Sequence, residues 1–67
     1  MTLQEVKMVD VDGKQVLEKP FTAFLKGVKV LVCHVDANQS PPVANYRQVK
    51  RGRPKFFDAP LTDITLS

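Results

Sequence analysis

The sequence has little of what usually stabilises a small protein or anchors one in a membrane. Its single cysteine cannot form an intramolecular disulfide, so a reducing compartment is expected. The longest uninterrupted apolar run, residues 30–33, is far shorter than a membrane span. The first residues also lack a basic segment followed by an apolar run, so we expect no signal peptide and a cytoplasmic protein.

The sequence also lacks the residue sets that catalysis and metal binding require. Cys33 and His34 are its one cysteine and one histidine, and a structural zinc site needs four ligands. Neighbouring positions on a strand face opposite sides, so the two side chains cannot form a nucleophile–base pair. We therefore expect a buried Cys33, a packed His34, and a non-enzymatic protein with no metal and no cofactor.

Length and composition predict one small folded domain over residues 1–67. Apolar residues make up 43% of the chain and charged residues 25%, as in ordinary globular proteins. A domain of this size buries only about 60% of the surface that its unfolded chain exposes. Since no disulfide adds stability, we expect a partner or a homodimer to support the core.

The first part of the sequence predicts a β-hairpin. Residues 5–11 are rich in strand-forming side chains, and Asp12-Gly13 is a strong signal for a two-residue turn. The facing pairs expected from this turn are Val11 with Lys14, Val9 with Val16, Met8 with Leu17, and Lys7 with Glu18. The last pair places opposite charges across the strands, which favours the same register.

Residues 19–26 allow two interpretations. Three apolar residues there have the i, i+3, i+4 spacing of a helix: Phe21, Phe24 and Leu25. Pro20 suits the first turn of such a helix and Gly27 suits its end. The alternative is a strand with Phe21 and Ala23 on one side and Thr22 and Phe24 on the other. We take a short helical turn as the expectation.

The remaining sequence predicts further strands. Residues 28–35 are apolar and β-branched, which indicates a central strand buried on both faces. One side of it would carry Val28, Val30, Val32 and His34, and the other Lys29, Leu31, Cys33 and Val35. Polar residues and two prolines break the chain at 36–42, and residues 46–50 suit another strand. Glycine and proline exclude a regular strand at 51–54, and residues 61–66 suit a short closing strand or a packed tail.

These elements predict an all-β fold, or a mainly β fold with one short helical turn. The expected architecture is a small antiparallel sheet or barrel-like domain of four to five short strands. Sheet edges in so small a body stay unpaired unless they are covered, so the expected homodimer would form through edge strands or an apolar face.

The net charge of +3 lies entirely in the second part of the chain. Residues 1–36 hold five basic and five acidic side chains, whereas residues 37–67 hold five basic and two acidic ones. The basic residues of the second part all lie between Arg47 and Lys55. This asymmetry predicts an anionic partner.

The basic cluster contains a run whose chemistry suits the minor groove of DNA. Gly52 has no side chain, so the backbone there can approach a surface closely. Pro54 favours an extended residue before it, and in an extended run Arg51 and Arg53 project to the same side. Narrow A·T minor grooves are strongly negative and attract inserted arginines. At G·C pairs the exocyclic amine of guanine stands on the groove floor, so a deeply inserted strip should disfavour them.

This run resembles the AT-hook, a short DNA-binding motif with an Arg-Gly-Arg-Pro core and basic flanks. The core residues are Arg51, Gly52, Arg53 and Pro54, and the flanks are Lys50 and Lys55. The resemblance covers residues 50–55 and implies binding in the minor groove of A·T-rich DNA, with both arginines along the groove floor. We expect an exposed basic loop, with Lys50 and Lys55 near phosphates and Arg47 on the DNA backbone.

Aromatic residues bracket the basic run. Tyr46, Phe56 and Phe57 could stack on unpaired bases. Because the whole chain has only five aromatic residues, a role in the core is the favoured interpretation. In a strand, adjacent Phe56 and Phe57 would point to opposite sides, so we expect one in the core and the other partly exposed.

The leading interpretation is a small non-enzymatic DNA-binding protein, associated with the nucleoid when bound. The alternative is an interaction module or inhibitor of the kind that phages and mobile elements encode. Its basic patch would bind an acidic host protein such as a polymerase or a nucleoid protein. A third interpretation is an RNA or single-strand binder, which a preference for single strands would identify.

Overall fold

The computed structural model describes residues 1–66, which form short strands and turns. The strands are β1 (Met8–Val11), β2 (Lys14–Leu17), β3 (Phe21–Leu25), β4 (Val28–Asp36), β5 (Val43–Gln48), β6 (Phe56–Pro60) and β7 (Ile64–Thr65). Two 3-10 turns, Leu3–Glu5 and Leu61–Asp63, are the only helical segments in this range. The expected small antiparallel β fold is confirmed. None of the described residues belongs to a helix with the length and apolar character needed to cross a membrane.

The strands form two antiparallel sheets. β1 and β2 make a separate hairpin, and the larger sheet has the strand order β6-β5-β4-β3-β7. Strands β3 to β6 follow one another as consecutive hairpins, and β7 returns to pair with β3 at the opposite edge. The connection between β5 and β6 is therefore the tip of the hairpin at one edge of the sheet.

The first hairpin has the register that its turn residues predict. Its facing pairs are Met8 with Leu17, Val9 with Val16, Asp10 with Gln15, and Val11 with Lys14. Asp12 and Gly13 have positive φ angles of 54° and 79°, as a two-residue type I′ turn requires. Lys7 and Glu18 also face each other, and the Glu18 N–H donates to the Lys7 carbonyl at 3.0 Å. Within residues 1–66 their charged side chains form no ion pair shorter than 4.0 Å.

The helical turn expected in residues 19–26 is wrong, because this segment contains strand β3. Lys26 and Gly27 have φ angles of 51° and 80° and form a second two-residue turn, so Gly27 joins two strands instead of ending a helix. Ala23 is fully buried opposite Val30. The residues of β3 that pack on the core are Phe21, Ala23 and Leu25, which have the two-residue spacing of a strand.

A β-bulge at Cys33 corrects the expected arrangement of β4. The pairing with β5 shifts between Val32 and His34, which leaves Cys33 as the extra residue. The side-chain alternation therefore changes phase, so Val35 is buried while His34 is exposed. The expected burial of both faces is wrong, since only one face of β4 is fully buried. The packed His34 and the buried Cys33 expected from the sequence are also wrong, since His34 is exposed and Cys33 is half-buried.

The core lies on one face of the larger sheet, called the inner face below, and residues of the N-terminal segment and of the first hairpin pack against it. Its buried residues are Val6, Ala23, Val30, Val32, Val35, Ala44, Leu61 and Ile64. The hairpin packs on this face through β2, which lies against β4. Among the described residues, β5 and β6 make no comparable contact with the first hairpin. The inner face of the β5–β6 edge is therefore less covered than that of β3 and β4.

The edge of the larger sheet at β6 carries features that discourage pairing with another strand. Asp58 adds a charge, and Pro60 lacks a backbone N–H. The Asp58 carboxylate accepts a hydrogen bond from the Asn45 side chain on β5 at 3.0 Å. The homodimer expected from the sequence stays a prediction, and these residues make the β6 edge a poor route to it.

We predict that Leu61→Ala destabilises the fold and that Leu66→Ala does not. Leu61 is 1% exposed and Leu66 is 52% exposed, so the two variants remove the same side chain from opposite environments. The cavity left by Leu61→Ala should lower the free energy of unfolding by about 2–5 kcal/mol. Leu66→Ala should change it by less than about 0.5 kcal/mol. Urea denaturation followed by circular dichroism measures both values, and equal losses would contradict a core position for Leu61.

Candidate nucleic-acid interface

The basic run lies in an exposed loop at the tip of the β5–β6 hairpin. Residues 49–55 form no strand, which confirms the expectation for residues 51–54, and all of them are exposed. The hairpin anchors both ends of the loop, because Arg47 of β5 pairs with Phe56 of β6. The Lys50 N–H donates to the Gln48 carbonyl at 3.0 Å, which tightens the exit from β5. Residues 49–55 therefore form an exposed loop that the β5–β6 hairpin holds at both ends.

The loop backbone is bent where the sequence predicts an extended run. Bends occur at Arg51, Gly52 and Arg53, and Gly52 has a φ angle of 111°. Residues with a side chain rarely adopt this φ angle, so the backbone conformation itself favours glycine at this position. A Cβ atom added to Gly52 would meet no atom of the described residues within 4 Å, its two chain neighbours aside, so crowding does not require glycine. The open space also leaves this backbone accessible to a ligand.

The bent loop brings its charges together around one small hollow of about 150 Å³. We call it the loop hollow, and its lining residues are Gln48, Lys50, Arg51, Arg53, Pro54, Lys55 and Phe57. Four of these seven residues are cations, and none is acidic. Within residues 1–66 the side chains of the four cations form no hydrogen bond or ion pair with the protein. No described group of the protein therefore neutralises these four charges, and together they would attract an anionic ligand.

The two phenylalanines that follow the loop are both exposed, which corrects the expectation of a core position. Phe56 is 55% exposed and Phe57 is 44% exposed. The reason is that β6 is an edge strand outside the main contact with the first hairpin. Phe57 faces Tyr46 across the strands, with the ring centroids 5.9 Å apart and the ring planes tilted by 32°. Tyr46 is half-buried and packs against the core, so it supports the Phe57 ring.

The structure separates Arg47 from the other predicted site residues. Arg47 faces Leu31 and Phe56 in the pairing register, so it lies on the outer face of the sheet. Gln48 and Phe57 line the loop hollow on the inner face instead. The predicted residues Lys50, Arg51, Gly52, Arg53, Pro54 and Lys55 remain together in the loop.

Sequence reasoning missed Gln48 and the placement of Phe57 as parts of this site. A signal for Gln48 was present, because it lies two residues after Tyr46 and therefore on the same side of β5. The placement of Phe57 depends on the pairing of β5 with β6, and the sequence specifies the length of their connecting loop only loosely.

Another polar hollow lies on the outer face of the larger sheet, across β4, β5 and β6. His34, Asp36 and Asp58 are among its lining residues. Within residues 1–66, however, no group of three or more histidine, cysteine or acidic side chains is placed to hold a metal ion. The Cys33 thiol contacts the Leu31 carbonyl at 3.7 Å. The loop hollow is therefore the site with the clearest chemical character.

Comparisons with known proteins leave the site to be judged by its own geometry. No protein-family model, curated protein or solved structure matches this chain. The AT-hook resemblance rests on residues 50–55 alone, and the structure adds their exposure and their position at a hairpin tip.

Proposed function

We propose that this protein binds the minor groove of A·T-rich duplex DNA through residues 50–55. The observation that carries the proposal is the cluster of four exposed cations around the loop hollow, none with a partner among residues 1–66. A folded protein that keeps such charges close together without compensation is suited to an anionic ligand. DNA presents a dense and regular array of negative charge.

The arrangement of the arginines favours the minor groove over other parts of the duplex. Arg51 and Arg53 line the same hollow, so both guanidinium groups can meet one narrow surface. Gly52 between them adds no side chain and has open space around it. A·T-rich minor grooves combine a narrow width with a strongly negative potential, which attracts arginine.

The lysines at the two ends of the loop suit phosphate contacts. Lys50 and Lys55 flank the arginines and are fully within the exposed segment. Ammonium groups act on phosphates as point charges and need no fixed orientation. Arg47 lies on the opposite face of the hairpin, so we expect its backbone contact to contribute less than those of the two lysines.

We predict that the double variant Arg51→Ala/Arg53→Ala loses binding to an A·T-rich duplex. Two groove contacts of about 1–3 kcal/mol each correspond to a loss of about thirtyfold or more in affinity. The double variant Lys14→Ala/Lys19→Ala also removes two positive charges, from exposed positions that are distant from the loop in the sequence. It should retain most of the affinity. Fluorescence anisotropy with labelled A·T-rich and G·C-rich duplexes measures the effect.

The same titration separates this function from the alternatives. Both arginines are exposed and without protein partners among residues 1–66, so their removal should change the unfolding free energy by less than about 0.5 kcal/mol. Unchanged A·T binding by the folded double variant, or equal affinity for G·C-rich duplex, would overturn the proposal. Capture of an acidic protein without any DNA binding would support the interaction module.

We also predict a steep salt dependence. If the four loop cations neutralise DNA charge, the slope of log affinity against log salt concentration should be about −3.6. Lys50→Ala should reduce the steepness by about 0.9, whereas Lys14→Ala should leave it unchanged. Titrations at several salt concentrations measure the slopes. A slope near zero would contradict phosphate contacts by the loop.

A further inference from the structure

Phe57 lines the loop hollow together with the four cations and is 44% exposed. Its other neighbour is the Tyr46 ring, at 5.9 Å, which supports it from the protein side. We propose that Phe57 stacks on an unpaired base, so that the preferred ligand is A·T-rich duplex DNA that ends in a short single strand. This inference rests on the proposed function and adds the structural class of the DNA.

The position of the cations supports this assignment. A nucleotide that places its base on Phe57 brings a phosphate group with it, and the positive side chains of the loop hollow line the same small space. Proteins that bind single strands combine these two features, an aromatic platform and a cationic groove along the backbone. Phe57 and the loop cations provide both within one hairpin.

The size of the loop hollow limits what it can hold. Its volume of about 150 Å³ is below the roughly 300 Å³ at which pockets for drug-sized ligands begin. A dedicated small-molecule site is therefore not supported. This volume agrees with a shallow contact, in which one base of the DNA lies on Phe57 and the single strand passes along the loop.

An unpaired base is needed because a regular duplex hides the faces of its bases. Extruding a base from a duplex costs the stacking and pairing that hold it there. A single-stranded end offers an exposed base without that cost. Because Phe57 follows the loop by only two residues, a base next to the duplex is within reach when the loop lies in the groove.

Phe56 provides a matched control for Phe57. It is the adjacent residue, it has the same side chain, and it is 55% exposed. Its partner in the register is Arg47, so it lies on the outer face, away from the loop hollow. Removing Phe56 therefore takes away a similar exposed ring at a position where our proposal assigns it no contact.

The experiment compares three labelled DNAs: a blunt A·T-rich duplex, the same duplex with a single-stranded end, and the single strand alone. The duplex with the single-stranded end should bind roughly tenfold more tightly than the blunt duplex. Phe57→Ala should remove this gain, so that this variant binds the blunt duplex and the duplex with the single-stranded end with equal affinity. Phe56→Ala and the aromatic replacement Phe57→Tyr should keep the gain. Phe57→Leu keeps apolar volume without an aromatic face, so it should lose the gain. This variant replaces Phe57→Ala if Phe57→Ala fails to fold.

The outcomes distinguish this inference from the proposed function. Blunt-duplex binding with no gain from the single-stranded end would overturn the inference and leave the proposed function intact. Equal effects of Phe56→Ala and Phe57→Ala would also overturn it. Binding of the single strand alone, as tight as that of the duplex with the single-stranded end, would overturn both the duplex requirement and the minor-groove function.

Discussion

The arrangement of the candidate site depends on the pairing register of β4, β5 and β6. A shift of one residue in a strand moves its side chains to the opposite face of the sheet. The extra residue, Cys33, allows both Val32 and Val35 to face the core while β5 stays paired along β4. That pairing places Tyr46 on the inner face, and the next strand pair places Phe57 beside it. The aromatic pair and the loop hollow therefore share one side of the sheet.

The parts of the fold that sequence predicts well are those with strong local chemistry. Asp12-Gly13 specifies a turn in which both residues have positive φ, and this turn alone sets the register of the first hairpin. Residues 28–35 are apolar and β-branched over a length that suits a strand, and they lie within β4. Glycine and proline interrupt regular structure at 51–54, and this segment is the exposed loop. Each of these features depends on neighbours in the chain.

The parts that sequence reasoning missed depend on distant contacts. Phe21 and Leu25 are four residues apart, a spacing that fits one face of a helix and one face of a strand equally well. Pairing with β4 along Phe21–Leu25 stabilises the strand over the helix. The bulge at Cys33 has no local sequence signal, because its benefit is the burial of Val35 against the core. The exposure of Phe57 likewise follows from which strand forms the sheet edge.

The conformation of Gly52 has a consequence for how quickly a complex would form and separate. Apart from its two chain neighbours, none of residues 1–66 lies within 4 Å of where its Cβ atom would be, and residues 49–55 are exposed throughout. Few contacts therefore oppose a change of loop shape, and segments of this kind belong to the least stable regions of a fold. Ordering them on a ligand consumes part of the binding free energy. Under the proposed function, this cost would shorten the residence of the protein on any one DNA site.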